Sequence, residues 1–495
     1  MTHVRSLVWL LLSLLVASPS HAQVLSPPTF VIGSNGKLLP DRWRIPVNNN
    51  GNVFSVMATP PTITTNTTNY TLARAWGAYA DFNVGNILSE WFSYPKTGIV
   101  TTTYPSATYG LDSVGVSFMH YGSAFEIALY ETSTDFLVKV NDQYVSLTPT
   151  STGTSGGTIQ YFKYTFASAG WHRVDIIGFN ITLYGVGTAA TDTIMPAATR
   201  GPRTIFVGDS FSQGGSFLAS VGFGEYMGWD DVASSGVSST GYLANAGGTA
   251  PTFRQRLQHD VIALSPEVVI FFGGTNDATQ TPSAVQAEAL LCYQMIAAAL
   301  PSTIIGVVVN TGSGVGGKTA NQNAVNAAIA SAATQAAGMG MNVVNINLQS
   351  LALGTPGASY TLTTTSTGVG NSTAGSSAFG MVSAANLRPV VGSTYSIGSG
   401  ATLEEFQIIA IASATSTITN VTVSTPLLYN NPSSTVTLVG GSFWSGNGNS
   451  GTPSGWGNAD IITSSDGLHP NRSYAGTGQI GLAIANGFLQ ATAPN

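Results

Sequence analysis

The fold is decided by one stretch of the chain, Thr204-Ile205-Phe206-Val207-Gly208-Asp209-Ser210. Its first four residues predict a buried strand, and the segment Phe211–Gly215 that follows can turn into a helix. The hydroxyl of Ser210 would then lie at a strand-to-helix corner, where the N–H groups of a helix N-terminus point towards an incoming oxyanion. A serine that follows an aspartate at a strand end is ordinarily an N-cap, so this motif alone defines no function.

A second polar group follows another apolar strand. The run Val268–Phe272 predicts that strand, and Asn276 comes shortly after it in the motif Gly274-Thr275-Asn276-Asp277. Asn276 is therefore expected at the carboxyl end of a strand, which is the edge where open α/β sheets bind ligands. Its neutral amide can donate a hydrogen bond to a developing oxyanion.

An aspartate and a histidine stand close together near the end of the sequence, in the motif Asp466-Gly467-Leu468-His469. At this spacing a turn or a first helical turn brings both side chains to one side. The carboxylate of Asp466 can then orient the imidazole of His469, and the imidazole can accept the proton of Ser210.

Together with a Ser/Gly turn at Ser235–Gly241, these motifs stand in an order that resembles the SGNH (GDSL-type) hydrolase superfamily of esterases, lipases and acetylesterases. The resemblance covers about Arg203–Leu489 and is interrupted by one large insertion. Each motif alone occurs by chance in turns and helix caps, but all of them in this order favour an enzyme. The alternative is a degenerate, non-catalytic copy.

The resemblance implies a role for each motif residue. Ser210 would be the nucleophile, His469 the general base and Asp466 the carboxylate that orients it. Asn276 would donate to the oxyanion, along with the backbone N–H of Ser210. These are the parts that acyl transfer through a serine requires.

The remaining donor in this superfamily is the backbone N–H of a glycine in the second motif. In this chain Ser239 stands where that glycine is usual, with Gly236 and Gly241 on either side. A backbone donor needs no particular side chain, so we expect Ser239 to complete the oxyanion hole.

Strand-like and helix-like segments alternate from Arg203 onward, which predicts an α/β fold with a parallel sheet flanked by helices. The expected strands are Thr204–Val207, Val268–Phe272, Thr303–Val309 and Met341–Ile346; the expected helices are Phe253–Leu264, Ser283–Leu300, Asn321–Ala337 and Tyr474–Leu489. The segment Arg254–Asp260 is interpreted as a polar helix face.

Two other parts of the chain lack this alternation. Residues 23–199 show short apolar runs with turns between them and predict a β-sandwich that resembles a jelly roll. Residues 351–460 are rich in Thr, Ser and Gly with strand-like runs, and predict an inserted β-rich domain. The hydrolase domain would then consist of residues 200–350 and 461–495. A β-sandwich ahead of an SGNH domain also resembles the arrangement of two-domain carbohydrate acetylesterases.

The first residues resemble a signal peptide. Arg5 precedes the apolar run Leu7–Val16, and Ser20-His21-Ala22 offers small residues at the positions that a signal peptidase reads. We expect cleavage after Ala22, so that residues 1–22 are removed and the mature chain is secreted or periplasmic. The run is too short to span a membrane, because a transmembrane helix needs about 20 apolar residues.

Composition limits the partners and cofactors. Charged residues make up 8% of the chain, and the net charge of -6 with no basic cluster argues against binding nucleic acid. There is one cysteine, Cys292, and no His-Glu-x-x-His motif, so we expect no disulfide, no metal and no cofactor.

The function that these observations predict is ester hydrolysis through an acyl-enzyme by an exported serine esterase. The expected export, the β-sandwich and the resemblance to two-domain carbohydrate acetylesterases imply an acylated carbohydrate as substrate, with O-deacetylation of a polysaccharide as the reaction. A lipase or aryl esterase and an O-acyltransferase with the same triad are alternatives. A third alternative, from another class, is a carbohydrate-binding surface protein with an inactive hydrolase domain.

Trp444 and Trp456 are the candidates for contact with the substrate. Both stand in the Gly-, Ser- and Asn-rich segment Gly440–Gly457, which leads towards His469 and offers little core for an indole. Their flat faces suit stacking on sugar rings, whereas the alternative is that they are packing residues at the base of the insertion.

Overall fold

The structure is a computed structural model. It describes residues 54–66, 71–72, 74–76, 113–130, 135–151, 159–179, 182–198, 200–213, 218–309, 320–347, 361–364, 374–382, 394–398, 400–414, 418–430, 435–440, 469 and 477–492. The predicted signal peptide, Asp466, Trp444 and Trp456 lie outside the described residues.

Nine strands of the first described part pair in antiparallel fashion. They are β1 (Thr62–Asn66), β2 (Arg74–Trp76), β3 (Ser113–Tyr130), β4 (Asp135–Val140), β5 (Gln143–Tyr144), β6 (Thr150–Ser151), β7 (Ile159–Phe179), β8 (Thr182–Thr188) and β9 (Thr193–Pro196).

The long strands β3 and β7 organise this antiparallel region. They pair along their length with one register shift, between Gly122 and Ala124. The sequence predicted short apolar runs with turns between them in this region; β3 and β7 instead continue through the shift. Aromatic residues from both halves of β3 meet in one core, where the rings of Phe118 and Phe125 lie 5.7 Å apart. The assignment of this region to a jelly-roll sandwich stays a prediction.

The second part is an α/β unit with five parallel strands. Its strands are β10 (Thr204–Gly208), β11 (Val232–Gly236), β12 (Val268–Phe272), β13 (Ile304–Val309) and β14 (Val343–Asn347), and its helices are α1 (Ala219–Met227), α2 (Phe253–Asp260), α3 (Pro282–Ala299), α4 (Ala320–Gly338) and α5 (Gln479–Ala491). The strand order is β14-β13-β12-β10-β11. The predicted parallel sheet flanked by helices is therefore confirmed.

Apolar cores on both faces explain why four of the five strands of this sheet are mainly apolar. Phe206 and Ile270 contribute to one core, which also contains Phe488 of α5. Val207 and Phe271 contribute to the opposite core, under α2, α3 and α4. Buried parallel strands read as continuous apolar runs, and for this reason four of the five strands were predicted.

Strand β11 was not predicted. Its sequence Val-Ala-Ser-Ser-Gly looks like a turn, yet Ser234 and Ser235 are buried. Their hydroxyls are satisfied internally, since Ser234 donates to the carbonyl of Ser212 at 2.6 Å and Ser235 donates to Asp260 at 2.7 Å. Hydrogen bonds across the fold thus make a polar sequence suitable for a buried strand.

A third group of strands forms a closed antiparallel barrel in the order β15-β16-β19-β18-β17-β20. The strands are β15 (Thr361–Thr364), β16 (Ala378–Val382), β17 (Thr394–Ile397), β18 (Glu404–Ala414), β19 (Ile418–Val423) and β20 (Thr435–Gly440). Phe379, Tyr395 and Phe406 lie in its core. The barrel falls within the predicted β-rich insertion, whose boundaries stay a prediction. Among the described helices, none has the length and apolarity needed to cross a membrane.

Candidate active site

Ser210 lies two residues after the end of β10, which pairs with β11 on one side and β12 on the other. The chain forms a short 3-10 turn there, Ser210–Ser212. It covers the start of the segment Phe211–Gly215 for which the sequence predicted a helix, and residues 214 and 215 lie outside the described residues. Asp209 caps this turn, because its carboxylate accepts a hydrogen bond from the N–H of Phe211 at 3.0 Å. Asp209, and not Ser210, therefore caps the turn. The half-buried Ser210 can use its hydroxyl for another partner.

That partner is His469. Its Nε2 lies 2.8 Å from the Oγ of Ser210, although the two residues are 259 positions apart in the sequence. The imidazole also packs on Phe211, with ring centroids 5.5 Å apart. A hydroxyl at hydrogen-bond distance from an imidazole is the geometry in which a serine can be deprotonated.

Asn276 lies in a second 3-10 turn, Thr275–Asp277, which follows β12. Gly274 precedes this turn with φ of 110°, a left-handed conformation that favours glycine. The Nδ2 of Asn276 donates to the carbonyl of Thr240 at 2.9 Å. Since an amide nitrogen carries two hydrogens, this bond orients the side chain and leaves a second N–H.

Ser239 lies in the exposed turn that follows β11. Its φ is 60°, in the left-handed region that residues other than glycine rarely adopt. This backbone conformation gives a physical reason for the glycine that is usual at this position. Next to it, Ser238 contacts the loop after Ser210, because its N–H donates to Oε1 of Gln213 at 2.7 Å.

Two buried carboxylates beside these motifs were not singled out from the sequence. Asp277 accepts hydrogen bonds from the N–H groups of Tyr242, Leu243 and Ala244 at 2.8, 2.9 and 2.8 Å, so it fixes the chain that follows Ser239. Burial raises its pKa. Its place directly after Asn276 is the signal that could have found it.

Asp209 is the second of these buried carboxylates. It is fully buried. Burial raises its pKa to about 7; the charge of Asp277 acts in the same direction, whereas the hydrogen bond from Phe211 and the charge of Arg256 lower it. This carboxylate therefore titrates near neutral pH, one residue before Ser210.

Arg256 and Asp260 correct the interpretation of Arg254–Asp260 as a polar helix face. Both side chains are buried, and Arg256 is fully so. They face the sheet because their hydrogen-bond partners, among them Ser235, lie at the carboxyl ends of the strands. Charged residues are rarely buried unless they are paired or hydrogen-bonded, so the sequence suggested that Arg256 and Asp260 face solvent.

A further sequence pattern, between β13 and α4, bears on cofactors. Gly312-Ser313-Gly314-Val315-Gly316-Gly317-Lys318-Thr319 matches the spacing of a phosphate-binding loop. Strand β13 ends at Val309 and helix α4 begins at Ala320, but the loop itself lies outside the described residues. Within the described part of the chain, no cluster of His, Cys, Asp and Glu could hold a metal. The expected absence of a nucleotide cofactor stays a prediction, which a thermal-shift titration with ATP and Mg²⁺ tests.

The arrangement of hydroxyl, imidazole and amide at one sheet edge can carry out acyl transfer. A family model agrees with this chemistry, since residues 206–365 match the GDSL-like Lipase/Acylhydrolase family. The matched segment contains Ser210, Ser239 and Asn276. The predicted class, an SGNH-type esterase, is confirmed by this match. No curated protein matches the sequence.

Several solved structures are weakly similar. A family two carbohydrate esterase from Clostridium thermocellum is 14% identical with a TM-score of 0.37, over 47% of this chain and 80% of that chain. An acetyl xylan esterase from the rumen bacterium Butyrivibrio proteoclasticus is 12% identical with a TM-score of 0.36, over 58% of this chain and 89% of that chain. A salicylyl-acyltransferase from a tetracycline biosynthetic pathway is 15% identical with a TM-score of 0.37, over 48% and 70%.

Proposed function

We propose that the protein is an exported serine esterase that removes O-acetyl groups from a polysaccharide through an acyl-enzyme. The observation that carries the proposal is the distance of 2.8 Å between Oγ of Ser210 and Nε2 of His469. Two residues so far apart in sequence meet at the edge of the sheet where α/β folds bind ligands. Export is supported by the sequence of residues 1–22.

In the first half of the reaction, Nε2 of His469 accepts the proton of Ser210 while Oγ attacks the ester carbonyl carbon. The oxyanion that forms is stabilised by the N–H groups of Ser210 and Ser239 and by Nδ2 of Asn276. The tetrahedral intermediate collapses to the acyl-enzyme, and the imidazolium returns the proton to the departing alkoxide. Asp466 keeps the role of orienting carboxylate that the sequence assigned to it.

In the second half, His469 deprotonates a water molecule that attacks the acyl carbonyl. The same donors hold the second oxyanion, and its collapse breaks the bond to Oγ. The proton on the imidazole returns to Ser210, and the carboxylic acid is released. An O-acyltransferase would differ only in that a sugar hydroxyl replaces this water.

The substrate class is inferred from the polarity of the site. Within the described part of the chain, the motif segments that carry Ser210, Ser239 and Asn276 present small polar side chains that are at least partly exposed, among them Gln213, Ser238, Ser239 and Asn276. Small polar groups suit a short acyl chain and a leaving group rich in hydroxyls, whereas a long acyl chain needs an apolar pocket. This polarity favours a carbohydrate ester over a lipid.

The decisive experiment compares the wild type with Ser210→Ala. Acetate release is measured on acetylated xylan, pectin and peptidoglycan, next to hydrolysis of p-nitrophenyl esters with short and long acyl chains. We expect the wild type to release acetate from at least one polymer and to prefer p-nitrophenyl acetate, and Ser210→Ala to be inactive. A preference for long acyl chains would identify a lipase, and undiminished turnover by Ser210→Ala would refute the serine mechanism.

We also propose that Trp444 and Trp456 bind the polymer. Both are replaced by alanine in one variant, and the same assay is run with an acetylated polysaccharide and with p-nitrophenyl acetate. A loss confined to the polymer supports stacking on sugar rings. Equal losses on both substrates, with a lowered Tm, would show that the indoles are packing residues.

A further inference from the structure

The buried side chain of Arg256 touches three separate segments at the catalytic edge of the sheet. Arg256 lies on α2 and is fully buried, and its guanidinium stacks on Phe253 with 4.9 Å between its central carbon and the ring centroid. Nη2 donates to the carbonyl of Gly208, and also to the carbonyl of Ser235 at 3.1 Å. Nη1 donates to Oγ1 of Thr240 at 3.1 Å.

All three acceptors belong to the motif segments, and two of them, Gly208 and Ser235, are the first residues of theirs. Gly208 is the last residue of β10, two positions before Ser210, and Ser235 is close to the end of β11. Thr240 directly follows Ser239 in the turn that carries the expected backbone donor. A planar guanidinium has five N–H donors in a rigid arrangement, so it can hold several acceptors at fixed relative positions.

The contacts continue from Thr240 to the oxyanion donor. The hydroxyl of Thr240 donates to the carbonyl of Val237 at 2.7 Å, which leaves its oxygen lone pairs for Arg256. The carbonyl of the same residue accepts from Nδ2 of Asn276 at 2.9 Å. One residue therefore separates Arg256 from the amide of Asn276.

We infer that Arg256 is a positioning residue for the oxyanion hole. It holds the turn of Ser239 and Thr240 in register with the strand end before Ser210, and through the carbonyl of Thr240 it sets the direction of Asn276. The inference rests on the proposed serine mechanism and deepens it. Arg256 itself does not touch the substrate.

The test variant is Arg256→Met, which keeps most of the side-chain volume and removes every donor. A displacement of about 1 Å in a catalytic group can lower the rate about 100-fold. We expect kcat on p-nitrophenyl acetate to fall 10- to 100-fold, on that scale, with a much smaller change in KM. Active sites are counted with a serine-directed phosphonate, so that kcat is expressed per competent site. A merely structural arginine would lower the number of competent sites and leave kcat per site unchanged.

Three further variants keep the inference testable. Arg256→Lys retains the charge with fewer donors and should lie between Arg256→Met and the wild type. Thr240→Val removes the hydroxyl and keeps the carbonyl, so it tests the same link if Arg256→Met does not fold. Arg254→Met is the matched control, since Arg254 lies on the same helix with a side chain 47% exposed and paired with Glu288; it should match the wild type.

A double-mutant cycle with Asn276→Ala gives the sharpest outcome. If Arg256 acts through Asn276, Arg256→Met should lower kcat less in the Asn276→Ala background than in the wild type. Fully multiplicative effects, or an unchanged kcat per site in Arg256→Met, would overturn the inference. Ser210→Ala is measured alongside: activity in that variant refutes the proposed function itself, whereas an inactive Ser210→Ala with a fully active Arg256→Met refutes only the role of Arg256.

Discussion

At the level of single residues, two neighbouring side chains after β10 make different kinds of contact. Asp209 caps the turn that follows, and Ser210 contacts His469. The same division occurs after β12, where Asn276 donates to the carbonyl of Thr240 and Asp277 accepts from the chain that follows it. In both motifs a buried carboxylate fixes the backbone, while its polar neighbour stays half-exposed.

Replacing Asn276 with alanine tests the oxyanion role. Loss of one oxyanion donor lowers kcat by about 100- to 1000-fold, or about 2.7–4 kcal/mol, because the bond strengthens as charge develops. We expect Asn276→Ala to show this decrease with a small change in KM, measured by steady-state kinetics on p-nitrophenyl acetate. Activity within a few-fold of the wild type would mean that Asn276 only holds the turn.

Asp209 should make stability depend on pH. Its pKa of about 7 in the folded protein lies above the ordinary value of 3.8, chiefly through burial. Such a group contributes stability that is fully present below pH 3.8 and is lost as pH rises through about 7, with a slope of at most about 1.4 kcal/mol per pH unit. Asparagine cannot ionise and keeps an oxygen acceptor for the N–H of Phe211.

The Tm of Asp209→Asn should therefore rise relative to that of the wild type between pH 5 and pH 8. Other titrating groups are common to both proteins, so the difference in Tm isolates residue 209. A difference that is constant over this range, or that decreases, would contradict the assignment.

At the level of secondary-structure elements, the turn after β11 is held in a defined backbone conformation. Ser239 adopts positive φ, and hydrogen bonds to Arg256 and Asp277 hold the residues on its C-terminal side. The side chain of Ser239 is exposed. The donor proposed at this position is the backbone N–H, which requires no particular side chain.

Ser239→Gly should therefore keep full activity. A positive φ costs a residue with a Cβ about 1 kcal/mol, and glycine does not have this steric penalty. The Tm of Ser239→Gly should therefore be unchanged or slightly higher. Ser239→Ala is the control, because it also removes the hydroxyl but keeps the Cβ. A large loss of kcat in both variants would show that the hydroxyl, and not the backbone, is the functional group.

At the scale of the whole molecule, buried ion pairs join the antiparallel region to the α/β unit. Nζ of Lys139 on β4 lies 2.7 Å from Oε1 of Glu225 on α1, and the side chains are 8% and 10% exposed. Nearby, Arg173 of β7 pairs with Asp230 at 2.7 Å. Burial raises the pKa of Glu225, and the charge of Lys139 opposes this shift.

Lys139→Met should destabilise the protein by about 3–5 kcal/mol, because it leaves the carboxylate of Glu225 buried without its cation. The double variant Lys139→Met/Glu225→Leu should regain most of this loss. Urea unfolding followed by tryptophan fluorescence measures both. Equal stabilities for the single variant and the wild type would mean that water reaches this junction and solvates Glu225.

The candidate catalytic groups and the α/β framework could be predicted from the sequence alone. The strands Val268–Phe272 and Ile304–Val309 are apolar because they are buried on both faces, and this local pattern is visible without a structure. Ser210, Asn276 and His469 stand in motifs whose order is a property of the chain alone.

Which of these groups meet, and which residues hold them, depends on the folded chain. The contact of Ser210 with His469 joins residues 259 positions apart, and strand β11, the barrel and the burial of Arg256 depend on partners distant in sequence. The periodicity of a segment reflects its local preference for helix or strand. A polar side chain contributes to that periodicity in the same way whether it is hydrogen-bonded to solvent or to a buried partner. Buried polar residues such as Ser235 and Arg256 therefore look like surface residues until the fold supplies their partners.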